Sequence, residues 1–175
     1  NEDDMEMSYE FFNLAGEIDK TDSTIHYNAG FLANDLGRFE DAKKHFGYLF
    51  ELPTYNKTNA YYFMVQILST EEKNPEAAFE LVTKARKEYP GDKVLAEYEI
   101  QLLLQLNKMD EAMKQINDAL ANDPNNPGLL LRSGYLKEQG GDLEAALVDY
   151  KKSVEVDPNF FEGNYYTGAL MLEKS

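Results

Sequence analysis

Residues of similar type recur in this chain about every 34 positions, and this internal repeat limits the possible folds more than any other feature. Small residues recur at spacings of 34, 36, 34 and 34, as Ser8, Ala42, Ala78, Ala112 and Ala146. Four positions later come Phe12, Phe46, Val82, Ile116 and Tyr150, and three positions after those come Ala15, Leu49, Ala85, Ala119 and Ser153. The spacing i, i+4, i+7 places each trio on one face of an α-helix.

A second series indicates another helix in each repeat. It consists of Leu32, Leu68, Leu102, Leu136 and Leu170, and from Ala42 onward each small residue follows one of these leucines by ten positions. The turns between the two helices hold Gly37, Asn107 and Gly141 where a left-handed backbone is needed, with Lys73 as the exception. Three of the repeats end in a proline, which cannot continue a helix.

The small residues are explained by the packing of two antiparallel helices. Where the two backbones approach most closely, a side chain larger than Ala would push them apart. This accounts for Ala on the second helix and for Gly30, Gly134 and Gly168 on the first. Gln66 and Ile100 take that place in the second and third repeats, so we expect a different helix separation there.

These features together resemble one known family. A repeating helix pair of this length, with Gly on its first helix, Ala and a bulky residue on its second, and a closing Asp-Pro-Asn, is similar to the tetratricopeptide repeat (TPR). The resemblance implies an all-α fold, a right-handed superhelical solenoid of antiparallel helix pairs. The style of the repeats is also similar to that of bacterial proteins, which predicts a bacterial origin.

The repeat divides the chain into six segments. We predict the second helix of a truncated repeat, four TPR units and the first helix of another truncated repeat, at 1–22, 23–58, 59–92, 93–126, 127–160 and 161–175. The two extra residues of the longer interval are expected between Leu49 and Tyr61.

Both ends look like cuts through a longer array. Tyr9, Phe11 and Phe12 near the start, and Leu170 and Met171 near the end, stand where further helices would pack. We therefore expect a fragment of a longer protein that can associate end to end.

Composition excludes several classes of partner. The chain has 17 basic and 32 acidic residues, a net charge of -15, which repels a nucleic-acid backbone. No apolar run is long enough to span a membrane, and there is no cysteine for disulfides or thiolate metal sites. These facts leave the compartment open, cytoplasmic or periplasmic.

The sequence offers little support for catalysis. His45 follows Asp41 by one helical turn, but a metal site needs a third ligand, so we interpret the two as a solvated pair and expect His26 to pack between helices. The acidic clusters are typical of solvated surfaces. We predict no catalytic residue, no cofactor and no metal, and hence no enzyme, unless an active site lies in sequence outside this chain.

The TPR resemblance implies a concave groove lined by the first helices. Counting from the leucine series, the residues that would bind a peptide there are Tyr27, Phe31, Phe63, Ile67, Glu97, Gln101, Leu131, Tyr135 and Tyr165. The predicted groove is aromatic with an acidic margin, and it lacks the Lys, Asn and Arg clamp with which chaperone-binding TPR domains hold a terminal carboxylate.

Two functions remain open at this stage. The first is a scaffold that binds a partner protein or peptide, apolar with basic character, in the groove. The second is a structural or oligomerisation segment of a larger protein, in which the aromatic residues only pack against the next repeat.

Overall fold

The computed structural model describes residues 2–173, which form ten α-helices, one π-helical turn and no β-strand. The helices are α1 (Glu2–Ile18), α2 (Ser23–Asp35), α3 (Phe39–Glu51), α4 (Thr58–Gln66), α5 (Pro75–Glu88), α6 (Lys93–Gln105), α7 (Met109–Asn122), α8 (Pro127–Gln139), α9 (Leu143–Val156) and α10 (Phe161–Glu173). The π-helical turn, Ile67–Glu71, continues α4. The predicted all-α class and the repeated helix pairs are confirmed.

The helices form two compact units, residues 1–102 and 103–175. In the first unit, one cluster of buried residues is built around Phe46, Leu49 and Ile67, and another around Tyr61, Val82 and Leu102. In the second unit, Ala146, Tyr150 and Leu170 form a buried cluster between α9 and α10. Among the described residues, no helix is both long and apolar enough to cross a bilayer.

Close contact between the two helices of a repeat is confirmed at two glycines. A Cβ atom on Gly30 would lie 2.7 Å from the ring of Phe46, and one on Gly134 would lie 2.6 Å from the ring of Tyr150. The alanines at the matching place on the second helices, Ala42, Ala78, Ala112 and Ala146, are fully buried. Gly168 differs, because no second helix follows α10 among the described residues and no described atom lies within 4 Å of its Cβ position, so its role stays a prediction.

Each turn between the paired helices contains one left-handed residue. Gly37, Asn107 and Gly141 have φ values of 71°, 57° and 83°, as predicted. Lys73 has a φ of 52°, so this turn is an exception only in its residue type. The left-handed residue lets the next amide close the helix end, as when Arg38 N–H donates to the Ala33 carbonyl at 2.8 Å.

The π-helical turn changes the register of the second repeat. The first residues of α2, α4, α6, α8 and α10 are separated by 35, 35, 34 and 34 positions, and those of α3, α5, α7 and α9 by 36, 34 and 34. One extra residue therefore lies in the connection from α3 to α4, as predicted. The other lies in the π-helical turn, so the prediction that both lie between Leu49 and Tyr61 is wrong for the second residue. Since that residue comes after Ile67, it is Ile67 and not Leu68 that corresponds to Leu32 and Leu102.

The corrected register explains the packing of the second repeat. Ile67 is fully buried, whereas Leu68 is only partly buried. The counterpart of Gly30 is Val65, which is buried, and Gln66 is exposed. The prediction that Gln66 stands at the closest helix contact is therefore wrong by one position.

Two of the predicted end-face residues are buried, whereas Phe11 and Met171 are 68% and 51% exposed. Tyr9 is 2% exposed and lies under the guanidinium of Arg38, at 4.7 Å from the ring centroid, and Leu170 is also 2% exposed. Their prediction as open end-face residues is wrong, because each packs on the neighbouring repeat. Ser8, by contrast, is exposed, since no described helix precedes α1 to cover it.

Gly134→Ala and Gly168→Ala should have opposite effects on the free energy of unfolding. The first adds a methyl group that must displace the buried Tyr150 ring, which should cost about 1–3 kcal/mol. The second fills open space and replaces a poor helix former, which should stabilise the chain by about 0.5–1 kcal/mol. Urea unfolding of the two variants and the wild type measures both effects, and equal shifts would contradict the packing described here.

Candidate functional site

The first helices of unit 1 present one face whose residues follow the corrected register. The count starts from Leu32 and its counterparts Ile67 and Leu102. The residues one and five positions before these are Tyr27, Phe31, Tyr62, Gln66, Glu97 and Gln101. Four of these six match the sequence prediction. In α4 the prediction named Phe63 and Ile67, and Ile67 is wrong as a groove residue because it is fully buried in the core.

An aromatic cluster joins α2 to α4 on this side of unit 1. The ring of Phe63 contacts Tyr27 and Phe31 edge-on, at centroid distances of 6.5 Å and 5.9 Å. It also stacks on the buried ring of Phe46 at 5.1 Å, with an interplanar angle of 4°. Phe63 thus supports the core, while Phe31, at 38% exposed, is the most exposed of the three rings.

Tyr62 extends the aromatic surface from α4 towards α6. Its ring lies 6.3 Å from that of Tyr98, and its hydroxyl donates to the Asp92 carboxylate at 2.6 Å. Burial, with Asp92 adding to the effect, raises the pKa of Tyr62 to about 12, so the phenol is neutral at physiological pH. Sequence reasoning missed Tyr62 because it counted from Leu68, and the longer interval between repeats was the only sign that the count could shift.

Glu97 and Gln101 form the acidic and polar part of the same face. Both are exposed on α6. The nearby Glu99 is buried and accepts a hydrogen bond from Arg86 at 3.3 Å, so this cation is already paired. No Lys or Arg stands at the six face positions of unit 1, and Glu97 is the one charged residue among them.

In unit 2 the predicted groove residues differ in their exposure. Leu131 is half-buried against the cluster of Ala146, Tyr150 and Leu170, so it is mainly a packing residue. Tyr135 is half-buried on α8. Tyr165 is 63% exposed on α10, where its ring meets that of Tyr166 edge-on at 5.4 Å.

The two histidines form a buried pair inside unit 1. Nδ1 of His26 lies 3.1 Å from Nδ1 of His45, and the rings are 0% and 1% exposed. The interpretation of His45 as a solvated residue is therefore wrong, because α1 covers it, with Asn13 Oδ1 at 3.2 Å from His45 Nε2. The expectation that His26 packs between helices is confirmed.

One arrangement of protons satisfies both hydrogen bonds of this pair. If His45 Nε2–H donates to Asn13, then His45 Nδ1 accepts from Nδ1–H of His26, and both rings are neutral. Nδ1 of each ring is used in this bond. Within residues 2–173, no three His, Cys, Asp or Glu side chains are grouped so that they could hold a metal ion.

Two regions of the chain match models of the tetratricopeptide repeat, residues 69–133 and residues 127–160. Together they cover residues 69–160, more than half of the 175 residues. The chain belongs to the tetratricopeptide repeat family. TPR proteins are generally non-enzymatic scaffolds for protein–protein interaction, and membership supports that general role for this chain.

Solved TPR structures are similar to this one in fold. YrrB, described as a TPR protein with an unusual peptide-binding site, aligns with a TM-score of 0.76 at 19% identity, over 95% of this chain and 84% of YrrB. MamA from Desulfovibrio magneticus RS-1 aligns with a TM-score of 0.74 at 17% identity, over 89% and 86%. The first TPR of Spaghetti (RPAP3), bound to the HSP90 peptide SRMEEVD, aligns with a TM-score of 0.54 at 23% identity, over 60% and 83%.

One curated relative also matches in sequence. The BBSome complex member BBS4 of Bos taurus is 26% identical over 142 residues, which is 81% of this TPR chain. The chain spans only 27% of the length of that relative.

The buried histidine pair should make the folded TPR chain less stable as the pH falls. Burial, followed by the charges of His26 and Lys44, lowers the pKa of His45 to about 4, although Asp41 and Glu17 act in the opposite direction. Burial also lowers the pKa of His26. Because an unfolded histidine has a pKa near 6.5, the unfolded state binds more protons between about pH 6.5 and pH 4.

We therefore expect the buried, neutral His45 to cost no stability above about pH 6.5. The free energy of unfolding should fall by up to about 3 kcal/mol as the pH falls from there to about 4. Urea unfolding at several pH values in this window measures the slope, with His45→Gln as the matched variant. The variant lacks the imidazole of His45, so it should show the flatter profile. Parallel profiles would disprove a role of the histidine in the pH dependence.

Proposed function

We propose that this chain is a non-enzymatic scaffold that binds a peptide segment of a partner protein along the face of its first helices. In TPR arrays this face is the concave one. The observation that carries the proposal is the aromatic cluster of Tyr27, Phe31 and Phe63 in unit 1, in which Phe31 keeps 38% of its surface exposed. A rigid, partly exposed aromatic side chain is the type of residue that contributes most to peptide binding.

The charge of this face argues for an apolar partner with basic character. The six face positions of unit 1 include Glu97 and no Lys or Arg, and the whole chain carries a net charge of -15. Acidic groups around an apolar surface speed the approach of cationic partners and disfavour anionic ones. The HSP90 peptide held by the TPR of Spaghetti is acidic near its end, so we propose a different class of peptide for this chain.

Phe31→Ala should weaken binding of a fluorescein-labelled amphipathic peptide that carries Phe and Leu anchors and several lysines. We expect a loss of about tenfold in affinity by fluorescence anisotropy, since truncating an anchor of this kind costs at least about 1.4 kcal/mol. Phe31 is partly exposed, so helicity by circular dichroism should stay unchanged. Added salt should weaken the binding, because opposite charges are screened.

Two controls define this experiment. Val148→Ala changes a residue that is 64% exposed on α9, a second helix, and should leave the affinity unchanged. A peptide with Glu in place of every Lys should bind much more weakly. If both peptides bind equally well, or if Phe31→Ala binds as the wild type does, the proposed face and its partner class are wrong.

A second candidate function, assembly through the terminal helices, is favoured by the apolar side chains exposed on α1 and α10. On α1 they follow helical spacing, at Met7, Phe11, Leu14 and Ile18, and are 68%, 68%, 64% and 88% exposed. On α10, Phe161, Tyr165 and Met171 are 76%, 63% and 51% exposed. Contiguous apolar surface of this kind marks interaction sites in soluble proteins.

A further inference from the structure

The face of the first helices in unit 1 changes its chemistry from α2 to α6. On α2 it presents the aromatic rings of Tyr27 and Phe31, and on α6 it presents the carboxylate of Glu97. Between them, α4 presents Tyr62 and Gln66. A partner that lies across the three helices therefore meets an apolar surface at one end and an acidic group at the other.

Contacts between aromatic rings give the distance between these helices. The rings of Phe31 and Phe63 join α2 to α4 at a centroid distance of 5.9 Å, and those of Tyr62 and Tyr98 join α4 to α6 at 6.3 Å. Helices whose side chains touch in this way have axes about 8–10 Å apart. Two such steps separate α2 from α6 by about 16–20 Å.

The positions of the two end residues along their helices add little to this distance. Phe31 lies one residue before Leu32, whereas Glu97 lies five residues before Leu102, the counterpart of Leu32. This difference corresponds to about 6 Å along the helix axis. Phe31 and Glu97 are therefore about 17–21 Å apart.

This separation distinguishes an extended partner from a helical one. An extended chain rises about 3.3 Å per residue, so about five or six residues span the distance. An α-helix rises about 1.5 Å per residue and needs about eleven to fourteen. The spacing between an apolar anchor and a cation in the partner is thus a measure of its bound conformation.

Two side-chain amides on this face favour the extended chain. Gln66 and Gln101 are both exposed, and neither amide has a hydrogen bond within residues 2–173. Each can donate to a peptide carbonyl and accept from a peptide N–H. An extended segment has backbone groups available for such bonds, whereas a helix pairs most of its own.

Glu97 supplies the charge at the α6 end of the face. The neighbouring Glu99 already accepts from Arg86 at 3.3 Å. Within the described part of the chain, no ion pair joins Glu97 to Lys93, which lies one turn earlier on α6. A cationic side chain of the partner is therefore the complementary group at this end.

We infer that the partner is an extended segment that crosses α2, α4 and α6, with an apolar anchor on Phe31 and a lysine or arginine on Glu97, about five or six residues apart. Gln66 lies between the two ends and binds the backbone of the segment. The inference rests on the proposed function and adds the conformation and the spacing of the bound segment.

The test uses fluorescein-labelled peptides of equal length and composition, rich in Ser and Thr. In each peptide one Lys follows a Phe-Leu anchor, at a distance of about two, six or twelve positions. By fluorescence anisotropy at low salt, the peptide with the intermediate spacing should bind about threefold more tightly than the other two. Glu97→Gln should remove this advantage and leave the affinities of the other two peptides unchanged.

Two further measurements examine the extended conformation. Gln66→Leu should weaken the binding of the intermediate peptide, because its backbone loses a hydrogen-bonding partner. A version of that peptide locked into a helix by a hydrocarbon staple should also bind more weakly. Glu80→Gln is the matched control, since Glu80 is an exposed acid on α5, a second helix, and this change should leave every affinity as it is.

The outcomes separate the extended crossing from the proposed function. The crossing is wrong if the affinity is the same at all spacings, if it is highest at about twelve positions, or if the stapled peptide binds as well as the flexible one. In these cases a loss of affinity in Phe31→Ala would leave the proposed function standing without the crossing. If Phe31→Ala changes no affinity, or if no peptide binds, both are wrong.

Discussion

The structure depends on the close contact between the two helices of a repeat, and in the first and fourth complete repeats a glycine meets an aromatic ring there. The ring of Phe46 packs against Gly30 and the ring of Tyr150 packs against Gly134. A Cβ atom added to either glycine would lie only 2.7 Å or 2.6 Å from the ring. Because interiors pack at crystal density, that contact fixes the distance between the helices and the positions of neighbouring side chains. The exposed face of the first helices is then set by which of their residues this contact buries.

Most of the fold could be predicted from the sequence, because the small-residue series and the leucine series each report one buried helix face. The error in the second repeat has a specific physical cause. The longer interval shows that two residues are added, but not where, and the structure accommodates one of them as a π-helical turn within a continuous helix. As a result Ile67 belongs to the core, and the two surface positions of this helix belong to Tyr62 and Gln66.

For a related reason, only part of the binding surface could be predicted from the sequence. Periodicity identifies the side of a helix on which a residue lies, but it does not show how much of the side chain its neighbours cover. Phe63 and Phe31 lie on the same side of unit 1, yet one stacks on Phe46 and the other keeps part of its surface exposed. The histidine pair was missed likewise, since His26 and His45 are far apart in sequence and only the packing of α1 over them removes water.

The π-helical turn has a consequence for how this chain can change in length. An ordinary α-helix cannot gain or lose one residue without rotating everything after it by about 100°. At Ile67–Glu71 the extra residue is held as a local bulge, and the amide of Asn74 reaches back six residues to the Leu68 carbonyl at 2.8 Å. Loss of one residue there would return the helix to regular geometry with the core positions on either side in place, so this segment can tolerate a deletion that the other helices cannot.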